Sequence, residues 1–124
     1  MLTFDEAGAM LDDIAEDLPE EFYGQLNGGI ILLPETKLHP ESIHPESLYI
    51  LGEYHHDPAG LGRYIAIYYG SFIKLYGHAA PDQQRERLKE VLIHEFTHHL
   101  ESLAGEYGLE ITDALKMQIY RQRK

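Results

Sequence analysis

The chain has 124 residues, of which 44% are hydrophobic, enough for one domain (1–124) with a single modest core and too few for two. It has no cysteine, which excludes disulfides, thiolate zinc sites and cysteine nucleophiles together. The formal net charge of −11 argues against nucleic acid or an anionic membrane as a partner, because phosphate binding needs clustered Lys or Arg.

Thr3-Phe4-Asp5-Glu6 reads as a capping box, with Thr3 capping and Glu6 reaching back three residues. Ala7, Met10, Leu11, Ile14 and Leu18 then recur at helical spacing, which predicts a first helix over residues 4–17. The acidic first twenty residues have neither the basic start nor the apolar run of a signal peptide, and no run approaches a membrane span. A cytoplasmic chain is expected. Pro19 suits the first position of a short helix reaching Leu26, and Asn27-Gly28-Gly29 ends it. Ile30 to Leu33 reads as a strand stopped by Pro34.

Two His-Pro-Glu-Ser units follow, at residues 39–42 and 44–47. Proline after each His favours extended or turn backbone, so they read as loop rather than as a second metal site. A second strand is expected over Leu48 to Glu53 and a third over Tyr64 to Tyr69, forming an antiparallel pair. His55, His56 and Asp57 between them have ligand chemistry but read as part of an exposed, turn-rich connection with Gly60 and Gly62. The strand tyrosines read as half-buried packing residues, one of them available as a hydrogen-bond donor in a hydrolase site. Ser71 to Tyr76 suits a helical turn. Pro81-Asp82 opens a long helix expected to run to about Ala104, where Gly105 provides a natural stop, and Thr112 can cap a last helix carrying Ala114, Leu115, Ile119 and Tyr120.

The long helix contains His94-Glu95-Phe96-Thr97-His98, an HExxH sequence. Four residues are a little over one helical turn, so His94 and His98 project from one face and can share one metal ion. Glu95 lies about 100° round the helix from His94, suited to take a proton from an attacking water. The apolar flanks Val91, Leu92, Ile93, Phe96, Leu100 and Leu103 suggest a helix buried among apolar neighbours. There, unpaired ionisable groups are expensive. Zinc needs a third protein ligand, and without cysteine it must be another His or a carboxylate. Glu101 lies roughly 4.5 Å further along the helix by rise alone, and Glu106 further still, so an unbent helix leaves both too far.

The chain resembles the small bacterial zincin-like metallopeptidase family, the minimal single-domain HExxH metalloproteases. Leu18-Pro19-Glu20-Glu21-Phe22 looks like the family's opening. Leu51-Gly52-Glu53-Tyr54 followed by Pro58 resembles its LG-Y…P segment, Ile65 to Gly70 the strand before its active helix, and Val91 to Leu100, with the doubled His98-His99, its HExxHH segment. The resemblance implies an α+β fold with a small mixed sheet against the HExxH helix. It further implies a zinc peptidase acting on a peptide or protein, with Glu95 as the general base and His94 and His98 as ligands. The family carries Gly three residues and Asp six residues after the second His, in a Gly-Ile-Ser-Asp run, where this chain has Glu101 and Ala104. Ile111-Thr112-Asp113 resembles that run as if displaced by an insertion. Asp113 is therefore the first choice as third ligand and Glu110 the second. The strand Tyr64 to Tyr69 is expected to take an extended peptide if it lies at the sheet edge. Two rival readings remain: a weakly active or inactive zincin-like protein-binding module, and a structural zinc site completed by His99 or Glu101.

Overall fold

The structure, a computed structural model, describes residues 1–41 and 48–107, with only the backbone of residues 106 and 107. The described residues form an α+β fold of three α-helices, a 3₁₀ turn and two small sheets. Helix α1 (Phe4–Asp17) starts at the expected capping box: the Glu6 amide donates to Thr3 Oγ1 (3.1 Å) and the Thr3 amide to Glu6 Oε1 (2.8 Å). Its buried stripe is Ala7, Leu11 and Ile14. The expected helix after Pro19 is only a 3₁₀ turn, Glu20–Tyr23, which buries Phe22.

The main sheet has the order β1 (Gly29–Leu33), β5 (Gly62–Tyr68), β4 (Gly52–Asp57). β5 pairs parallel with β1 and antiparallel with β4, so the sheet is mixed. The central strand is buried from Ile65 to Tyr68, and its near-continuous apolar run suits a strand covered on both faces. A separate two-stranded ribbon joins β2 (Lys37–Leu38) to β3 (Tyr49–Ile50). The strand expected over Leu48 to Glu53 is thus divided at Leu51, whose carbonyl accepts the Tyr68 amide at 2.9 Å.

Helix α2 (Tyr69–Tyr76) follows β5 directly, and α3 (Pro81–Tyr107) packs against β4, β5 and α1. The core joins Leu88, Leu92, Ile93, Phe96 and Leu100 of α3 to Leu11, Ile14, Phe22, Ile65, Ile67 and Phe72. Three expectations need correction. Helix α3 passes through Gly105 without stopping, because this glycine does not adopt the left-handed φ that a C-terminal cap uses. Strand Tyr64 to Tyr69 corresponds to β5, the centre of the sheet and not its edge, since β1 and β4 flank it. His55, His56 and Asp57 belong to β4 rather than to a loop: their pairing with Tyr64, Arg63 and Gly62 extends the hairpin, and Gly62 closes it with φ +74°. Among the described residues no helix is long and apolar enough to cross a membrane. The second His-Pro-Glu-Ser unit, Glu110, Asp113 and the helix expected after Thr112 lie outside the described residues.

Candidate active site

One face of α3 and the strand β4 enclose a cleft of about 630 Å³. Five successive residues of β4, Gly52 to His56, form one wall; His94, Glu95, His98 and Ser102 form the other. HExxH residues therefore meet the edge strand, as helical spacing and sheet order together require.

His94 and His98 are both exposed, so burial does not hold them together, contrary to the expectation drawn from their apolar flanks. Of those flanks, Leu92, Ile93, Phe96 and Leu100 turn into the core on the other side of α3, while Val91, three residues before His94, stays on the histidine side. The imidazoles nevertheless converge: their Nε2 atoms lie 3.1 Å apart, with the rings at 89°. Two nitrogens bound to one tetrahedral zinc at about 2.0–2.1 Å lie about 3.3–3.4 Å apart, so the pair fits two places of such a site with little adjustment. Glu101 approaches the other nitrogen of His98, Nδ1, at 3.5 Å. It sits where an orienting carboxylate sits behind a ligating histidine, not where a ligand would. Among the described residues no group of three His, Asp or Glu side chains is arranged to hold a metal ion.

Glu95 differs sharply from its neighbours, with 5% exposure. Its side chain lies between α3 and β4, where Gly52 makes room for it. A Cβ at Gly52 would come within 3.2 Å of Glu95 Cγ, 3.1 Å of Ile67 Cδ1 and 3.2 Å of the Ala66 carbonyl. Burial raises the Glu95 pKa, the charge of Glu53 adds to the rise, and His98 opposes it. Glu53 is fixed on the cleft wall by three donors to Oε1: Lys37 Nζ at 2.7 Å, the Tyr68 hydroxyl at 2.5 Å and His55 Nε2 at 3.2 Å. Burial alone would raise the Glu53 pKa, but the Lys37 and Tyr68 hydrogen bonds outweigh it and lower the pKa.

His99, one residue after the HExxH run, is fully buried, and both its nitrogens are engaged. Nε2 faces the Gly24 carbonyl at 2.8 Å; a carbonyl only accepts, so Nε2 carries the proton. Nδ1 must then accept from the Tyr54 hydroxyl at 2.9 Å. Tyr54 oxygen in turn accepts from Arg63 Nη1 at 2.9 Å, and Arg63 also donates to Ser102 Oγ. Burial lowers the His99 pKa, matching a neutral ring. His99 is a satisfied core histidine that ties α3 to β4 and to the 3₁₀ turn, which removes it from the ligands of a structural zinc site.

Sequence reasoning missed Gly52 as a contact of Glu95, and Glu53, His55 and His56 as cleft wall. The available signal was the alternation of Glu53 and His55 about Tyr54 in a segment of strand composition.

No protein-family model matches the chain, and no curated protein does. Among solved structures, a conserved hypothetical protein from T. thermophilus is similar at 34% sequence identity, covering 83% of this chain and 98% of that one, with a TM-score of 0.71.

Proposed function

The chain belongs to the family of the T. thermophilus conserved hypothetical protein, and we propose that it is a cytoplasmic zinc-dependent peptidase of the zincin-like kind. The observation that carries this reading is the convergence of His94 and His98 Nε2 at 3.1 Å beside a buried Glu95 in one cleft. His94 and His98 would hold the zinc, with Asp113 as the third ligand by its place in Ile111-Thr112-Asp113. Bound there, zinc supplies Lewis acidity to the scissile carbonyl and to the attacking water.

This chain's own residues do the rest. Glu95 takes a proton from the attacking water at a carboxylate oxygen and returns it to the leaving amine. Its raised pKa makes it a stronger base than a solvated glutamate. The fixed Glu53 beside it holds negative charge in the cleft without competing for the proton, because its own pKa is lowered. A peptide substrate lies extended along β4, the strand on the cleft side of the sheet, adding main-chain hydrogen bonds to its edge.

Three measurements test the reading together. Elemental analysis is expected to find about one zinc per chain, lost in the His94→Ala, His98→Ala double variant. Hydrolysis of casein or a peptide library is expected to stop with chelator and return with zinc. Glu95→Gln is expected to keep the metal and lose nearly all turnover, because the amide cannot accept the proton. Full zinc occupancy in the double variant, or parent-like turnover in Glu95→Gln, overturns it; zinc binding without any hydrolysis by the parent favours a binding module instead.

A further inference from the structure

The cleft does not end at Glu95. A second hollow of about 340 Å³ continues from it toward the start of α3 and shares Gly52, His94 and Glu95 with the catalytic part. Its character changes along the way. Beyond Glu95 the walls are Tyr49, Ile50 and Leu51 from the sheet side and Tyr76 and Val91 from the helices, all half-buried. The other end is lined by Glu53, His55, His56 and Ser102 and is polar.

The charges at the apolar end cancel. Arg87 Nη1 donates to both carboxylate oxygens of Glu90, at 3.2 and 3.1 Å, and the guanidinium lies 6.0 Å from the Tyr76 ring centre. Arg87 and Glu90 therefore rim the hollow as a closed pair and offer little to a charged ligand. Helix geometry sets the distance from the chemistry. Val91 precedes Glu95 by four residues and His94 by three, so it lies on the same face about one 5.4 Å turn away. An extended peptide advances about 3.3 Å per residue, so a side chain resting on Val91 is one or two residues from the scissile bond.

We propose that this hollow is a specificity subsite, taking one aliphatic or aromatic side chain of the substrate and directing cleavage next to apolar residues. The inference rests on the peptidase reading above. Its occupant follows from continuity with the catalytic cleft, from apolar half-buried walls and from a self-neutralised rim. A volume at the low end of ligand pockets suits one side chain rather than a folded partner. Burying such a side chain favours binding by about tenfold or more over glycine or aspartate at the same place.

The test uses the full chain carrying Glu95→Gln, with and without added zinc, and fluorescently labelled peptides in which each position in turn is Phe, Leu, Gly, Asp or Lys. Binding is read by anisotropy. At one position Phe and Leu peptides should bind about tenfold tighter than the Gly and Asp peptides. Adding Val91→Glu, or Tyr49→Glu on the outer ribbon, should abolish that preference and turn it toward Lys. A reversed preference cannot come from a misfolded protein, and circular dichroism checks each variant. Binding that is indifferent to side chain at every position, or an apolar preference unchanged in both Glu variants, overturns the subsite while leaving the peptide site standing. Absence of binding by every peptide overturns the peptide site and the subsite with it.

Discussion

Glu95 and His98 sit three residues apart on one helix, yet the first is buried and the second open to solvent. That contrast suits their proposed tasks, since a base gains strength from desolvation while a ligand must be reachable. The residue that permits it is Gly52. An added methyl there meets Glu95 Cγ, Ile67 Cδ1 and the Ala66 carbonyl at 3.1–3.2 Å, so neighbours must yield by a few tenths of an ångström. The carbonyl is held by the sheet, which leaves Glu95 to move. Gly52→Ala is therefore expected to keep the fold and the zinc but to lower hydrolysis about tenfold, since misplacing a catalytic group by 1 Å costs about 100-fold. Parallel metal analysis and turnover measurements check this. A Gly52→Ala protein with parent-like turnover would show that Glu95 has slack.

Between elements, the joint that sets the cleft is the chain Arg63–Tyr54–His99–Gly24, which crosses from β5 through β4 and α3 to the loop after the 3₁₀ turn. Each link has its donor and acceptor roles fixed by the Gly24 carbonyl at one end and the guanidinium at the other. Tyr54→Phe removes one oxygen and leaves His99 Nδ1 without its donor inside the core. The expected cost is about 1–3 kcal/mol of unfolding free energy, the penalty for a buried group deprived of its partner, read by urea denaturation. Zinc uptake should persist, because His94 and His98 lie on the exposed face of α3. Loss of zinc affinity in Tyr54→Phe without loss of stability would show instead that the network tunes the metal site.

For the whole molecule, the proposed zinc site needs a third ligand from another part of the chain. Helix α3 continues unbroken to Tyr107, and Glu101 faces His98 Nδ1 rather than the space between the two Nε2 atoms. Both observations favour a ligand from beyond the helix, as Asp113 would be. Asp113→Ala is expected to weaken zinc about 10-fold or far more, by analogy with the 10–100-fold effect of losing an outer-shell partner. Glu101→Ala should weaken it by no more than that range. Zinc titration of the single variants Glu101→Ala, Glu110→Ala and Asp113→Ala decides between them. A parent-like Asp113→Ala with a crippled Glu101→Ala or Glu110→Ala would move the third ligand accordingly. Zinc should also raise the melting temperature: at 100 times Kd the stabilisation is about 2.7 kcal/mol. The double variant lacking His94 and His98 should not respond.

The sequence by itself determined what repeats locally. The capping box at Thr3, the stripe through Ala7, Leu11 and Ile14, and the i, i+4 placement of His94 and His98 are set within one or two helical turns, and the α+β class is implied by the family resemblance of the motifs. Helix ends and sheet order were less legible. Gly105 looks like a stop, but glycine only permits a left-handed φ and does not impose one, and α3 runs on through it. Tyr64 to Tyr69 looks like any strand, and only its pairing on both sides makes it central. Tertiary structure alone decided that Glu95 is buried, that Gly52 lies against it, that His99 is spent on Tyr54 and Gly24, and that His55 and His56 line the cleft. His99 meets its partners 45 and 75 residues away along the chain, and the other placements depend on which strand flanks which. No local period carries that information, because burial and pairing are properties of the packed chain.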